Sequence, residues 1–209
     1  MDGARLQALI YRGYAKEAAR IGIDYEIFRG PPMSPIQPAY SQGSLPCAFI
    51  ADAKASVFQK YQTPTWILRA DGSQLQVLDI LVGPFGTFYV ASMQPNLPIE
   101  AVRCNSTVSI GRVSYEEDPV TLVLVPVVTN YAEDLPMFKQ YRREEIRKDP
   151  TTGQEIGNAA TVWRAFIPLV NETMLQGDVI TDENAIKYTV DAPDFTSAGY
   201  AANIRLASL

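Results

Sequence analysis

Short apolar runs separated by turn residues dominate residues 64–112 and predict consecutive β-hairpins. An Asp71-Gly72 pair supplies the turn of the first hairpin, and Gly-Pro-Phe-Gly at residues 83–86 supplies the turn of the next. Pro126 marks the last run as an edge strand or a bulge. The predicted strands of this block are 65–69, 74–78, 79–82, 87–92, 97–102, 107–113 and 120–129. Many short strands at regular spacing are typical of a β-barrel or β-sandwich.

One amphipathic helix is predicted over residues 3–21, with Asp2 as its N-cap and Gly22 at its end. Its apolar positions at helical spacing are Leu6, Leu9, Ile10, Ala18 and Ile21. Its basic positions are Arg5, Arg12, Lys16 and Arg20, the last three aligned at i, i+4 and i+8. Two interpretations of the Arg12, Lys16 and Arg20 face remain open, a solvated surface and a face that docks on an acidic partner.

Residues 30–46 contain five prolines and almost no charge, so they predict neither a helix nor a central strand. A short strand is predicted just before them, at residues 23–29. Met33, Ile36 and Tyr40 favour burial over disorder. We therefore expect an extended arm that lies over its own domain or over a neighbouring subunit.

A charged segment interrupts the β pattern at residues 131–160, and it predicts a long exposed loop or a β-hairpin excursion. A final β unit follows, and no internal repeat of useful length is visible in the sequence. The predicted division is therefore a helix (1–22), an extended arm (23–46), a hairpin block (47–130), a charged loop or hairpin excursion (131–160) and a C-terminal β unit that completes the barrel or sandwich (161–209). The predicted fold class is mainly β, with one N-terminal helix.

The chemistry of the 209 residues argues against an enzyme. The chain has no histidine, which removes the commonest general base and metal ligand, and it has no phosphate-binding loop. The acidic cluster Glu116-Glu117-Asp118 and the pair Glu144-Glu145 favour a solvated surface, because adjacent carboxylates do not converge. The acids at Asp178, Asp182 and Glu183 favour turn capping over a weak metal site. We expect no cofactor, no metal and no catalytic residues.

Net charge and cysteine content limit the partners and the compartment that are expected for the chain. The net charge of −5 gives no overall basic footprint for gripping nucleic acid. Cys47 and Cys104 fit no metal or redox spacing and favour two lone thiols over a long-range disulfide. No apolar run approaches the ~20 residues of a membrane span, and residues 1–22 lack a signal-peptide core, so no membrane partner is expected.

Several stretches resemble one family of proteins. They are Pro64-Thr65-Trp66, the Asp71-Gly72 turn, DILVG at 79–83, TFYVA at 87–91, QPNLPI at 94–99, VRCN at 102–105, GDVITD at 177–182, YTV at 188–190 and Gly199-Tyr200. They lie within residues 64–105 and 177–200, about a third of the chain. This set resembles virion proteins of tailed bacteriophages from the neck or tail, of the head–tail connector, tail-tube or nozzle kind.

The resemblance implies a structural virion protein, assembled in the host bacterial cytoplasm, whose copies form a ring of six or twelve around the DNA channel. Its partners would be copies of itself, the adjacent portal-side and tail-side proteins, and DNA that passes without specific binding. An acidic lumen lets DNA slide, since no phosphate contacts have to be broken. The candidate lumen patch is Glu116, Glu117 and Asp118, and the candidate contact with an adjoining ring is Arg142, Arg143, Arg147 and Lys148. Stopper, tail tube and nozzle are all compatible with these features.

Two other functions remain open. A carbohydrate- or receptor-binding β-sandwich of the tail would need an exposed aromatic platform, with Tyr40, Tyr61 or Tyr141 as contributors. A carboxylate-dependent hydrolase would need two acids placed across a cleft.

Overall fold

The computed structural model describes residues 3–51, 65–118, 122–143, 147–148, 155–156, 161–169 and 171–207, although the side chains of 142, 143, 147, 148, 155, 156 and 161 lie outside that description. Its elements are the helix α1 (Gly3–Ile21) and the strands β1 (Ile23–Phe28), β2 (Ser41–Ala51), β3 (Thr65–Arg69), β4 (Ile80–Gly83), β5 (Gly86–Ser92), β6 (Ile99–Arg103), β7 (Ser106–Glu117), β8 (Leu124–Arg143), β9 (Arg147–Lys148), β10 (Glu155–Ile156), β11 (Thr161–Ile167), β12 (Val179–Asp182), β13 (Lys187–Thr196) and β14 (Gly199–Leu206). Short 3-10 helices lie at Pro38–Tyr40 and Gly72–Gln74. The mainly β fold with an N-terminal helix is confirmed.

The strands form two closed antiparallel barrels. The first follows the order β1-β2-β3-β6-β5-β4, and the second follows the order β7-β8-β11-β14-β13-β12. Counted from the first strand of each barrel, both orders are first, second, third, sixth, fifth, fourth. The chain is therefore an internal duplication of one six-stranded barrel.

The registers of the two barrels agree down to single residues. A bulge between Val90 and Ser92 interrupts the pairing of β5 with β6, and a bulge between Val190 and Ala192 interrupts the pairing of β13 with β14. The pairing also makes Trp66, opposite Ala101, equivalent to Trp163, opposite Ile204. Each indole packs against the core of its own barrel, as expected for tryptophans within strands.

The same buried ion pair recurs at the start of the fourth strand of each barrel. Asp79, 1% exposed, accepts hydrogen bonds from Nε and Nη2 of Arg29 at 2.7 and 2.8 Å, and from the Gln76 amide at 2.7 Å. Asp178, 2% exposed, accepts bonds from Nε and Nη2 of Arg112 at 3.1 and 3.2 Å.

The backbone around these two aspartates repeats as well. The Leu175 amide donates to Asp178 at 2.8 Å, as the Gln76 amide donates to Asp79. The residue before each aspartate has a positive φ, 74° at Leu78 and 91° at Gly177. The Asp-centred turn is therefore one structural device used twice.

A shared apolar cluster joins the two barrels. Phe28, Ile80, Tyr89 and other side chains of the first barrel pack against Phe138 and Phe166 of the second. Only two residues, Cys104 and Asn105, separate β6 from β7, and the Asn105 side chain is bonded to the backbone of Lys139 at 2.8 and 2.9 Å. The short linker and the cluster fix the two barrels to each other.

Helix α1 packs on the first barrel, but through a different stripe from the predicted one. Leu6, Leu9 and Ile21 are exposed, and Ala18 is the buried residue of the helix. Tyr11 covers Gly72, where an added Cβ would lie 2.5 Å from the ring. Aromatic rings at neighbouring positions replace the expected aliphatic contacts, because a ring reaches further from the helix than a leucine does.

The structure divides the chain differently from the predicted blocks. The predicted strand 74–78 is absent: β3 turns into a 3-10 helix at Gly72–Gln74, and β3 pairs instead with β2 and β6. The predicted block 47–130 spans both barrels. Residues 131–143, predicted as part of a charged loop or hairpin excursion, instead continue β8 in the wall of the second barrel, and Ala132, Leu135 and Met137 are buried in its core. In the rest of that segment, the described residues form the short antiparallel pair β9 and β10.

The arm predicted at residues 23–46 is partly strand, because β1 and the first part of β2, residues 41–46, lie within it. The segment between these strands crosses to the second barrel of the same chain. Ser34 donates its amide to the Glu133 carbonyl at 2.8 Å, and Glu133 donates its own amide to the Pro32 carbonyl at 3.1 Å. The arm therefore lies over its own chain.

If the two Asp-centred turns are equivalent, then removing either carboxylate should destabilise the fold. We expect Asp79→Ala to lower the free energy of unfolding by about 2 kcal/mol, because it leaves a half-exposed arginine and a buried backbone amide without their acceptor. Asp178→Ala should cost slightly more, because Asp178 also accepts the Tyr131 hydroxyl at 2.8 Å. Urea titration followed by tryptophan fluorescence measures this. Asp71→Ala, which removes the exposed cap on the Ser73 amide, is the control and should cost about 1 kcal/mol. A large cost for one turn and none for the other would contradict the equivalence.

Candidate assembly interface

The second barrel carries an extension that the first barrel lacks. Pairing of β1 with β2 ends at Phe28 opposite Ser41, whereas the equivalent pairing of β7 with β8 continues past Gly111 opposite Asn130 as far as Glu117 opposite Leu124. We call residues 113–118 and 122–128 the ribbon. In the duplicated fold, the ribbon takes the place of the proline-rich arm, since both connect the first strand of a barrel to the second.

One face of the ribbon is apolar and exposed. Directly opposed residues of an antiparallel pair share a face. The pairs Val113–Val128, Tyr115–Pro126 and Glu117–Leu124 therefore line one side. Tyr115 is 68% exposed and Leu124 is 64% exposed. Leu122 and Val123 at the tip are also exposed.

Such a face is unusual on an isolated monomer. A two-stranded ribbon is at best marginally stable in water unless its apolar side is covered. A contiguous exposed apolar patch commonly marks an interaction site. The arrangement points to docking.

The acidic residues predicted as a lumen patch lie on this ribbon. Glu116 and Glu117 are exposed, and the Asp118 carbonyl accepts the Leu122 amide at 2.8 Å at the tip. In the sequence, no lysine or arginine occurs between Arg112 and Lys139. The ribbon is thus both apolar and purely negative, and its placement in a DNA channel stays a prediction.

A basic face lies on the other barrel. Arg5, Arg12, Lys16 and Arg20 are exposed on the solvent side of α1, and Leu9, 49% exposed, lies among them. The acid of the helix, Glu17, faces the barrel and forms an ion pair with Arg69 at 3.5 Å. This solvent face, the basic stripe, therefore carries positive charge without internal compensation.

Other predicted contact residues are less informative. The side chains of Arg142, Arg143, Arg147 and Lys148 lie outside the described part of the structure, and so does Tyr61. Tyr40 is half-buried against Gly30. Tyr141 stands edge-on to Trp163, with 5.5 Å between the ring centroids. Tyr40 therefore serves packing, whereas Tyr141 remains 44% exposed beside Trp163.

The C-terminal acids serve structural roles, as the turn-capping interpretation predicts. Asp182 accepts the amides of Asn184 and Ile186 at 3.0 and 2.9 Å and an ion pair from Lys139. Glu183 accepts the Ser106 hydroxyl and the Thr107 amide at 2.6 and 3.0 Å. Within the described ranges, no three acidic or cysteine side chains are grouped to hold a metal ion.

These contacts also set the protonation of the acids. Burial alone would raise the pKa of Asp182, but the hydrogen bonds from Lys139 and from two backbone amides outweigh it and lower that pKa. The pKa of Glu183 is lowered in the same way, by Ser106 and Thr107 against burial. Both carboxylates are therefore held ionised as structural acceptors.

A cavity of about 410 Å³ lies between the barrels, lined by Arg29, Asp79 and residues of the arm, with Leu135 and Pro168 from the second barrel. Its charged groups, Arg29 and Asp79, are bonded to each other. The thiols are equally unsuited to chemistry, since Cys47 and Cys104 form no disulfide and burial raises the pKa of Cys47 to about 12.

Comparison with known proteins found no match among family models, curated proteins or solved structures. A search of the described helix for a stretch long and apolar enough to cross a membrane finds none. The ribbon and the basic stripe are thus the structural features that indicate a function.

Because the pKa of Asp182 is lowered in the folded chain, the free energy of unfolding depends on pH in the acidic range. A carboxylate whose folded pKa lies below its unfolded value of about 3.9 stabilises the fold above that pH, and the gain is lost as the pH falls through the folded pKa. We expect Asp182→Asn to flatten the decline in unfolding free energy below about pH 4. Urea titrations at several pH values measure it. Glu116→Gln, an exposed ribbon carboxylate, is the control, and an unchanged slope in Asp182→Asn would contradict the assignment.

If the apolar face of the ribbon lies outside both cores, its removal should leave the fold intact. We expect Tyr115→Ser/Leu124→Ser to change the unfolding free energy of the dilute chain by no more than about 0.5 kcal/mol. The same variant should lower the binding of a hydrophobic fluorescent dye. Ile110→Ala, in the core of the same barrel, should cost about 3 kcal/mol. A cost of similar size in the ribbon variant would place its side chains in the core.

Proposed function

We propose that this protein is a structural virion protein of a tailed bacteriophage, whose copies form a ring in the neck or tail that joins head to tail and surrounds the DNA. The observation that carries the proposal is the exposed apolar ribbon on a rigid double barrel. A barrel has no free sheet edge, so its outer surface needs no partner. The ribbon does need one.

The rest of the molecule supports an assembly role. The two-residue linker and the shared apolar cluster hold the barrels as one block, which suits a part that transmits load between neighbours. In the described residues, the buried carboxylates Asp79, Asp178 and Asp182 are engaged in turn capping and ion pairs. The resemblance of the hairpin stretches to tailed-phage virion proteins supplies the biological setting.

Charge supports passage of DNA without binding. The chain carries a net charge of −5, and phosphate contacts to lysine or arginine would have to be broken repeatedly as DNA slides. A ring whose inner wall is acidic avoids this. Glu116, Glu117 and Asp118 remain the candidate lumen residues wherever the ribbon tip faces the channel.

The carbohydrate-binding alternative has weaker support. Its platform would use Tyr40 and Tyr141, but Tyr40 is half-buried against Gly30, which leaves Tyr141, 44% exposed beside Trp163, as the described contributor. The hydrolase alternative has less support still, since the buried carboxylates Asp79, Asp178 and Asp182 are each saturated by arginine, lysine or backbone donors.

The particle itself tests the proposal. Quantitative mass spectrometry of gradient-purified virions should find the chain at several copies per particle, and electron microscopy should place its density in the neck or tail. A replication protein of the same phage, absent from particles, is the control. Absence of the chain from intact virions would refute the proposal. Binding of the isolated chain on a glycan array, lost in Tyr141→Ala, would favour the carbohydrate-binding alternative.

A further inference from the structure

We propose that the ribbon of one copy docks on the basic stripe of α1 in the next copy, so that the contact between subunits is ribbon to helix. This inference rests on the proposed ring and names the surfaces that build it. A second copy of the same chain thus covers the apolar face of the ribbon.

Charge complementarity selects the two surfaces. On the apolar face of the ribbon the charged residue is Glu117, which is opposite Leu124, whereas Glu116 points to the other face. The solvent side of α1 has Arg5, Arg12, Lys16 and Arg20. The acid of α1 does not compensate the basic stripe, because Glu17 faces the barrel and pairs with Arg69. Opposite potentials of this kind fix the partner and the register of an interface.

Apolar groups match as well. Leu9, 49% exposed, lies within the basic stripe, and Leu6, 38% exposed, lies beside it. Leu6 and Leu9 offer the ribbon an apolar strip with a positive border, and Tyr115 and Leu124 present the corresponding apolar face, with Glu117 opposite Leu124.

The geometry of the contact leads to a ring. The ribbon extends from the second barrel, and α1 packs on β2 and β3 of the first barrel. Two different surfaces of the same subunit make a head-to-tail contact, which closes into a ring when the rotation between neighbours allows it. The interface therefore needs no second protein.

Charge reversal on each surface tests the contact. We expect Glu117→Lys and Lys16→Glu each to raise the concentration at which half of the chain is assembled by about ten-fold or more, because like charges then face each other. Mass photometry and analytical ultracentrifugation measure the assembly. Glu100→Lys and Lys187→Glu, exposed residues elsewhere on the barrels, are matched controls and should assemble like the unchanged chain.

Mixing the two variants gives the sharper result. The ribbon lysine of a Glu117→Lys copy meets the helix glutamate of a Lys16→Glu copy, and the unchanged Glu117 of the latter meets the unchanged Lys16 of the former. Every interface of an alternating ring is then complementary, so the mixture should assemble when neither variant does so alone. Normal assembly by Lys16→Glu alone would overturn the proposal.

Cross-linking places the contact directly. Leu124→Cys in one copy and Leu9→Cys in another should be joined by a short bismaleimide linker, whereas Leu124→Cys with Ile186→Cys should not. The buried Cys47, with its raised pKa, reacts poorly under the same conditions. No joining of the Leu124–Leu9 pair at an assembled concentration would overturn the proposal.

The outcomes separate this contact from the ring itself. If the unchanged chain forms rings and Glu117→Lys and Lys16→Glu form them equally well, the proposed contact is wrong and the ring stands. If the unchanged chain stays monomeric at its highest soluble concentration, the second copy is excluded as the occupant. Detection of the chain in virions then decides separately whether the structural role survives.

Discussion

The buried aspartate at the start of the fourth strand is the contact on which each barrel depends. Asp79 and Asp178 each hold an arginine from the first strand region and the amide of the residue three positions earlier. The first and fourth strands are the ones whose pairing closes the barrel. Because the ion pair ties these two strands together, it favours the closed barrel over an open sheet with two free edges.

The duplication explains why the molecule has one arm and one ribbon. In the first barrel, the connection between the first two strands is rich in proline and cannot continue the ladder, since proline offers no amide donor. In the second barrel, the same connection carries β-branched residues and extends as paired strands. The connection between the first and second strands thus binds the rest of the chain in the first barrel and points outward in the second.

Much of the fold could be predicted from local pattern, and the errors have physical causes. Alternation and turn residues gave most strands to within a few residues, because a strand's face is encoded in its own sequence. The false strand at 74–78 follows from Leu75, which is buried as part of a loop and not of a strand. The apolar stripe of α1 was confirmed at Ala18 and wrong at Leu6, Leu9 and Ile21, because Tyr11 and Tyr14, which count as weakly apolar, make contacts with the barrel.

The duplication and the ribbon face could not be predicted in the same way. The equivalent positions share few identities, among them Asp79 with Asp178 and Trp66 with Trp163, and these are too sparse to register as a repeat. Barrel closure depends on pairs far apart in the chain. The prediction that Glu116 and Glu117 are solvated is confirmed. Which of their apolar neighbours share a face depends on the register of β7 with β8, and local sequence pattern does not supply that register.

The arm has a consequence for how the chain is made. All strands of the first barrel precede residue 104, so that barrel can close while the rest of the chain is still being synthesised. Ser34, however, bonds through its hydroxyl to Asp134 at 2.9 Å, one hundred positions later. The arm can therefore dock only after this part of the second barrel has been synthesised and has taken its place against the first barrel.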